Sequence, residues 1–264
     1  MAAPRTSAGD PAGTLALLWR VDERPRRGPE RGLDLDTIVG TATALADREG
    51  LEAVTMRRLA QELGVSTMSL YTYIPGKNEL IDLMVDAAYQ RMPRADTTGQ
   101  PWRQRLIAIA DANRALYLAH PWASSVSTLR PALGPGLMAK YEQELGALDG
   151  LGLSAVQMDD ALTYLLSFVR ANARATSDAR AAQLASAMDD QQWWAANAPL
   201  LARILDERAY PLAARVGSAA GAAHGSAYDP DHAYRFGLDR VLDGLAAIID
   251  ASGWSAERKP SRTN

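Results

Sequence analysis

The chain has 264 residues, 47% of them hydrophobic, enough for a small domain joined to a larger one, and its formal net charge of −3 argues against a protein that coats nucleic acid indiscriminately. It contains no cysteine, which excludes disulfides, thiolate catalysis and a Cys-ligated zinc site. No stretch reaches transmembrane length, and the apolar run Leu15–Trp19 lacks the basic start and small-residue cleavage site of a secretory signal, so no membrane partner and a cytoplasmic location are expected.

Residues Met1–Thr14, rich in Ala, Gly, Pro and Ser, read as disordered, and Leu15–Trp19 as a short extra helix packed on its own subunit. Arg20–Arg31 interleaves arginines with acids and prolines. It is either an arm laying Arg24, Arg26 and Arg27 along DNA or a solvated linker. Thr37–Arg48, with Ile38, Ala42, Ala44 and Leu45, corresponds to the first helix that the resemblance given below implies.

The densest signal follows, in Met56–Lys77, MRRLAQELGVSTMSLYTYIPGK. Leu59 and Leu63 share a helical face, small Ala60 lets a second helix cross closely, and Gly64 can take the left-handed conformation that ends a helix. Val65 fills the corner, Ser66 or Thr67 can cap a second helix, and Leu70 and Tyr73 face back toward the first. Thr67, Met68, Ser69 and Thr72 remain outward at a helix start, the end that enters a major groove in helix-turn-helix proteins. The bland alternative is an ordinary helical hairpin with Tyr71 and Tyr73 as core aromatics. Ile74-Pro75-Gly76 then breaks the helix and Lys77 opens another, with Leu80, Ile81, Met84, Val85 and Ala88 in a long stripe; an amine beside free backbone N–H groups suits a phosphate.

Past the shift in composition at Pro93–Pro101, helices are predicted at Trp102–Leu118, Leu137–Leu148, Ala155–Thr176, Asp189–Ala209 and Asp231–Ala251, with the Ala/Gly-rich Ala214–His224 as a mobile connection. No segment alternates with a period of two for long enough to be a strand. The fold class is therefore all-α: a three-helix helix-turn-helix domain (35–93) after an N-terminal extension (1–34), then a larger helical domain (94–264), to which the resemblance given next assigns ligand binding and dimerisation.

The run Leu35–Met92 resembles the DNA-binding domain of the TetR family of bacterial repressors, and Gly150–Ala175 resembles the start of the dimer-forming helix of its tetracycline-repressor branch. The resemblance implies DNA contacts at Met56, Arg57, Thr67, Met68, Ser69, Tyr71, Thr72, Tyr73 and Lys77, and a homodimer in which the apolar helices around Leu162–Val169 and Leu238–Ile248 pair with their mates. It also implies double-stranded operator DNA and a small organic effector as partners. Polar and aromatic side chains among the apolar helices, Asn113, Tyr117, His120, Trp122, Met138, Tyr141, Tyr164, Phe168, Asn172 and Trp193, are the candidate effector contacts, although each taken singly fits a structural role as well. Tetracycline-binding relatives hold their drug through magnesium and a loop histidine. The corresponding Ser124–Gly136 here has neither histidine nor carboxylate, so no metal and no cofactor are expected. Two other classes compete. An enzyme is poorly supported by three scattered histidines and the adjacent pairs Asp159-Asp160 and Asp189-Asp190, which point about 100° apart on a helix. A ligand-independent or protein-controlled DNA-binding dimer is the alternative.

Overall fold

A computed structural model describes residues 10–21, 33–126, 130–186 and 188–257, and every regular element among them is helical. The first group is α1 (Pro11–Leu18), α2 (Leu35–Glu49), a single 3-10 turn at Leu51–Ala53, α3 (Met56–Leu63), α4 (Thr67–Tyr71) and α5 (Lys77–Arg91). The second is α6 (Trp102–Ala119), α7 (Pro121–Ser125), α8 (Pro135–Gly146), α9 (Ala155–Ser186), α10 (Asp190–Ile204), α11 (Pro211–His224) and α12 (Pro230–Glu257).

Caps written in the sequence set most of the early boundaries. Asp34 accepts from Thr37 N at the start of α2, Thr55 from Arg58 N at the start of α3, and Ser66 from Ser69 N at the start of α4. Gly64, at φ 68°, closes α3 in the left-handed region. Ile38, Leu45, Leu59, Leu70, Ile74 and Leu80 are wholly buried between α2, α3, α4 and α5. Each such side chain contributes about 1.5–3 kcal/mol by leaving water.

Helix α5 is shared. Every residue from Leu80 to Tyr89 except Ala87 is buried, one side facing α1 and α2 and the other α8. Where α8 begins, the Asp86 carboxylate accepts from Gly136 N (3.1 Å) and Leu137 N (2.8 Å). Burial pushes the Asp86 pKa up, against those two bonds and the charge of Arg20, which favour the anion. A Cβ at Gly136 would stand 2.1 Å from the Asp86 carbonyl oxygen, so only glycine lets the helices approach this closely. In the larger domain α6 and α12 pack on α9 around Leu106, Ala110, Leu162, Leu165, Val169 and Leu242.

Several elements differ from the sequence reading. Pro11–Thr14, expected to be disordered, is helical because Asp10 accepts from Ala12 N and Gly13 N and Pro11 is preset for a first turn. Ala214–His224, expected to be a mobile connection, is most of α11, which ends at Gly225, φ 64°. Alanine is the best helix former, and Gly221 serves close approach: a Cβ there would fall 2.5 Å from the Trp194 ring. Helix α9 runs ten residues past Thr176 because nothing in the Ala-rich continuation breaks it, whereas α10 stops at Ile204, short of Ala209. The arginine arm, Arg24 to Arg31, lies outside the described residues.

Gly136→Ala should destabilise the protein by about 1–3 kcal/mol through overpacking against α5. Gly146→Ala, with open space at its Cβ position, should not. Urea midpoints of the two variants measured side by side decide this.

Candidate DNA-reading helix and effector-domain site

Helix α4 is pinned by Leu70, which is fully buried, while the side facing away from the core carries the polar set. Met68 (73% exposed) and Tyr71 (45%) project into solvent, and Arg57 and Thr72 are exposed. Thr67 and Ser69 are partly exposed. Ser66 and Ser69 hydroxyls lie 2.9 Å apart, and Thr72 Oγ1 donates to Ser69 O, so the first turn is ordered by its own hydroxyls. Tyr73 is half-buried against the core. Lys77, at the start of α5, donates from Nζ to Leu51 O at 3.3 Å, leaving other ammonium hydrogens for an anion. One candidate needs correcting. Met56 is 7% exposed and belongs to the core, so it anchors the start of α3 rather than presenting its side chain to a ligand. Arg58, beside Arg57, is engaged by Glu62 and Glu49.

The ten effector candidates do not converge on one cavity. Asn113 and Tyr117 are buried together near the α5–α6–α8 junction. His120 Nδ1 and Trp122 Nε1 approach Asp47 Oδ1 at 2.8 and 2.7 Å, which makes them a tie to α2 rather than a pocket lining. Tyr141 donates to Asp159, and Met138 is partly exposed on α8. Tyr164 is 58% exposed beside an open groove of about 260 Å³ lined by Leu153, Ala161, Leu245 and Ile248. Phe168 stacks on Tyr234, and Asn172 accepts from Arg114 and donates to Pro230 O. Trp193, 46% exposed on α10, stacks on Trp194. These separations arise because the candidates lie on α6, α7, α8, α9 and α10, whose inward faces point to different neighbours.

What the sequence reading missed lies around Asn113. Lys140 and Glu144 are buried and bonded at 2.7 Å, and Asn113 Nδ2 donates to Glu144 Oε1 at 2.6 Å and to Ile109 O. Lys140 Nζ lies 5.3 Å from the centre of the Tyr89 ring, and burial lowers its pKa. Burial raises the pKa values of Tyr89 and Tyr117. Asn113 Oδ1 is buried with no hydrogen-bond partner among the described residues. In the sequence, Lys140 and Glu144 look like an ordinary solvent-facing i,i+4 pair.

Comparison with known proteins matches both parts of the chain. The family model for bacterial regulatory proteins of the tetR family covers residues 38–84, and that for the tetracyclin repressor-like C-terminal domain covers 94–249. The chain belongs to the TetR family. The HTH-type transcriptional repressor DrrR1 of Streptomyces coeruleorubidus is 39% identical over 92% of this chain and 88% of its own. The tetracycline repressor protein class E of Escherichia coli is 26% identical over 83% and 93%. Among solved structures, ActR of Streptomyces coelicolor in complex with actinorhodin superposes with a TM-score of 0.70 at 28% identity, over 83% of this chain and 97% of that one. This TetR-family chain is thus a transcriptional regulator with a helix-turn-helix DNA-binding domain, and not an enzyme. No helix among its described residues is long and apolar enough to cross a membrane.

The buried pair of this regulator makes a direct prediction. Glu144→Ala leaves the Lys140 ammonium buried without its anion and should cost about 3–5 kcal/mol, whereas Lys140→Met with Glu144→Leu should recover most of that loss. Chemical denaturation of the single and double variants tests it.

Proposed function

We propose that this TetR-family chain is a homodimeric repressor that holds a pseudo-palindromic operator through α3 and α4 and releases it when a small organic molecule enters the larger domain. The reading helix would place Thr67, Met68, Ser69, Tyr71 and Thr72 at bases and phosphates, with Arg57, Tyr73 and Lys77 on the backbone. A dimer is supported by apolar surface left exposed on α9 and α12, where Tyr164 and Ile248 line the groove and Phe236 is exposed on α12. Leu162, Leu165, Val169, Leu238 and Leu242 are buried within the subunit, so the pairing surface is narrower than helix periodicity alone suggests.

The observation that carries the effector reading is the orphaned acceptor Asn113 Oδ1 beside Lys140, Glu144, Tyr89 and Tyr117. A buried carbonyl oxygen without a donor is costly, and a hydroxyl or N–H on an effector would satisfy it. Such a molecule would sit between α5, α6 and α8 and gain most of its affinity from buried apolar surface, a handful of polar groups fixing its orientation. That ActR crystallised with actinorhodin supports an organic effector in this branch of the family. Movement of α8 would pass to α5, whose first residue, Lys77, adjoins the reading helix. A coupling of about 1–3 kcal/mol is enough to change operator affinity by one to two decades.

Footprinting should show two half-sites whose centres lie about 34–36 Å apart or at a multiple of that distance; protection of a single asymmetric half-site would overturn the dimer. Lys77→Ala should lower affinity for all sequences and reduce the salt slope by about one, while replacing Thr67 or Ser69 should change base preference by about 1–3 kcal/mol per contact. A shifted preference with an unchanged slope in the Lys77 variant would reverse those roles.

In a screen of organic compounds for release of the footprinted DNA, an active compound should work equally in excess EDTA and bind with a negative heat-capacity change. Asn113→Leu should abolish the response while sparing operator binding. A magnesium requirement would refute the metal-free site.

A further inference from the structure

Helix α1 lies before the part of the chain that the family models match, and neither the DNA contacts nor the effector site uses it. Its own sequence specifies it. Asp10 caps it, Pro11 starts it, and Thr14 and Leu18, four apart, are buried together where α1 meets α5. At its end, Trp19 N and Val21 N donate to Leu15 O and Ala16 O, and Arg20 takes φ 54°, a left-handed conformation that a side chain seldom adopts and that the surrounding contacts hold.

That turn sends two neighbouring side chains to two domains. The Trp19 indole Nε1–H donates to Leu133 O at 2.8 Å, in the segment leading into α8. Arg20 Nη2 donates to Asp36 Oδ1 at 2.6 Å, in the first turn of α2. The Arg20 charge also favours the ionised carboxyls of Asp34, at the α2 cap, and Asp86, the α5 residue that holds Gly136 and Leu137. The short stretch Leu133–Leu137 is therefore held twice, from α1 and from α5, and the end of α1 is itself tied to α2 of the DNA-binding domain by Arg20 and Asp36. The Arg20–Asp36 pair is largely exposed at Asp36, and an ion pair of that kind adds little. Leu18, at 4% exposure, and the Trp19 bond do the fastening.

We propose that α1 is a strap tying the start of α8 to the DNA-binding domain, with Leu18 and Trp19 as positioning residues through which DNA binding at α3–α4 is felt at α8. The strap adds a second path beside the direct packing of α5 on α8, so its loss leaves the reading head folded and weakens the communication to residues 133–137. The proposal rests on the chain's DNA binding and not on an effector, so a failed compound screen has no bearing on it.

The test uses the full chain as wild type, Trp19→Phe, which removes the indole N–H and keeps a ring, and Leu18→Glu, which unseats α1. The DNA probe is a duplex selected by the wild type from a randomised pool. Hydrogen exchange is read at residues 56–73 and 133–146 with and without the duplex. In the wild type the duplex should slow exchange in both segments, by about fivefold or more at 133–146. Both variants should bind the duplex within about threefold of wild type and keep the slowing at 56–73, but show the slowing at 133–146 reduced by about half or more. Equal slowing at 133–146 in wild type and Trp19→Phe, no slowing there in wild type, or loss of duplex binding in Trp19→Phe would each overturn the strap. Should Leu18→Glu fail to fold, Trp19→Phe alone decides.

Discussion

Burial of α5 on nearly every side is the constraint on which the rest of the molecule depends. Leu80, Ile81 and Met84 are in contact with the three-helix core, while Asp86 and Tyr89 reach the helices of the larger domain. A helix with no solvent stripe cannot shift without repacking what lies on both sides of it, and close-packed interiors resist small continuous adjustments. The two parts of the protein are thus packed together most extensively through this element, and the non-helical segment 93–101 that follows it separates them in sequence more than in space.

Polar contacts give that junction its geometry. The Asp86 carboxylate receives two backbone N–H groups at the start of α8, and Asp47 of α2 receives both the His120 ring and the Trp122 indole. Each contact joins a residue of the DNA-binding part to a helix terminus or short helix of the larger one. Hydrogen bonds are directional, and the buried ones at Asp86 are costly to leave unmade, so these contacts set register where apolar packing alone would tolerate sliding. Lys140, Glu144 and Asn113 extend the same logic inward: a buried ion pair is a poor source of stability, and its presence beside an unsatisfied acceptor gives the larger domain a chemically particular interior.

The DNA-binding half was legible in the linear sequence because its determinants are local. Ser66 and Thr55 cap the helices that follow them, Gly64 takes the left-handed turn, and Leu59 and Leu70 are buried at the spacing that helical periodicity requires. Even there the outward or inward facing of single side chains at element ends was not. Met56 sits at the first position of α3, where periodicity barely constrains direction, and contact with the rest of the core draws it in. In the larger half, the long apolar helices were readable but their ends, and the whole of α11, were not: α9 continues to Ser186 and α11 exists because alanine propagates helix unless something stops it, and the Trp194 ring uses the glycine that had suggested looseness.

The sequence by itself determined that the chain is helical and that residues 56–77 form two short helices about a tight turn, since both rest on contacts within a few residues; the Asp10-Pro11 start of α1 is equally local, yet the Ala/Gly/Pro-rich composition around it reads as disorder. Only the tertiary structure decided which of the scattered polar residues share a site. Lys140 and Glu144 differ from any exposed i,i+4 pair solely in being covered by other helices, and Trp19 and Leu133 are 114 positions apart. Such partnerships depend on how helices stack across the chain, a long-range outcome to which hydrophobic periodicity contributes the facing surfaces but not the neighbours.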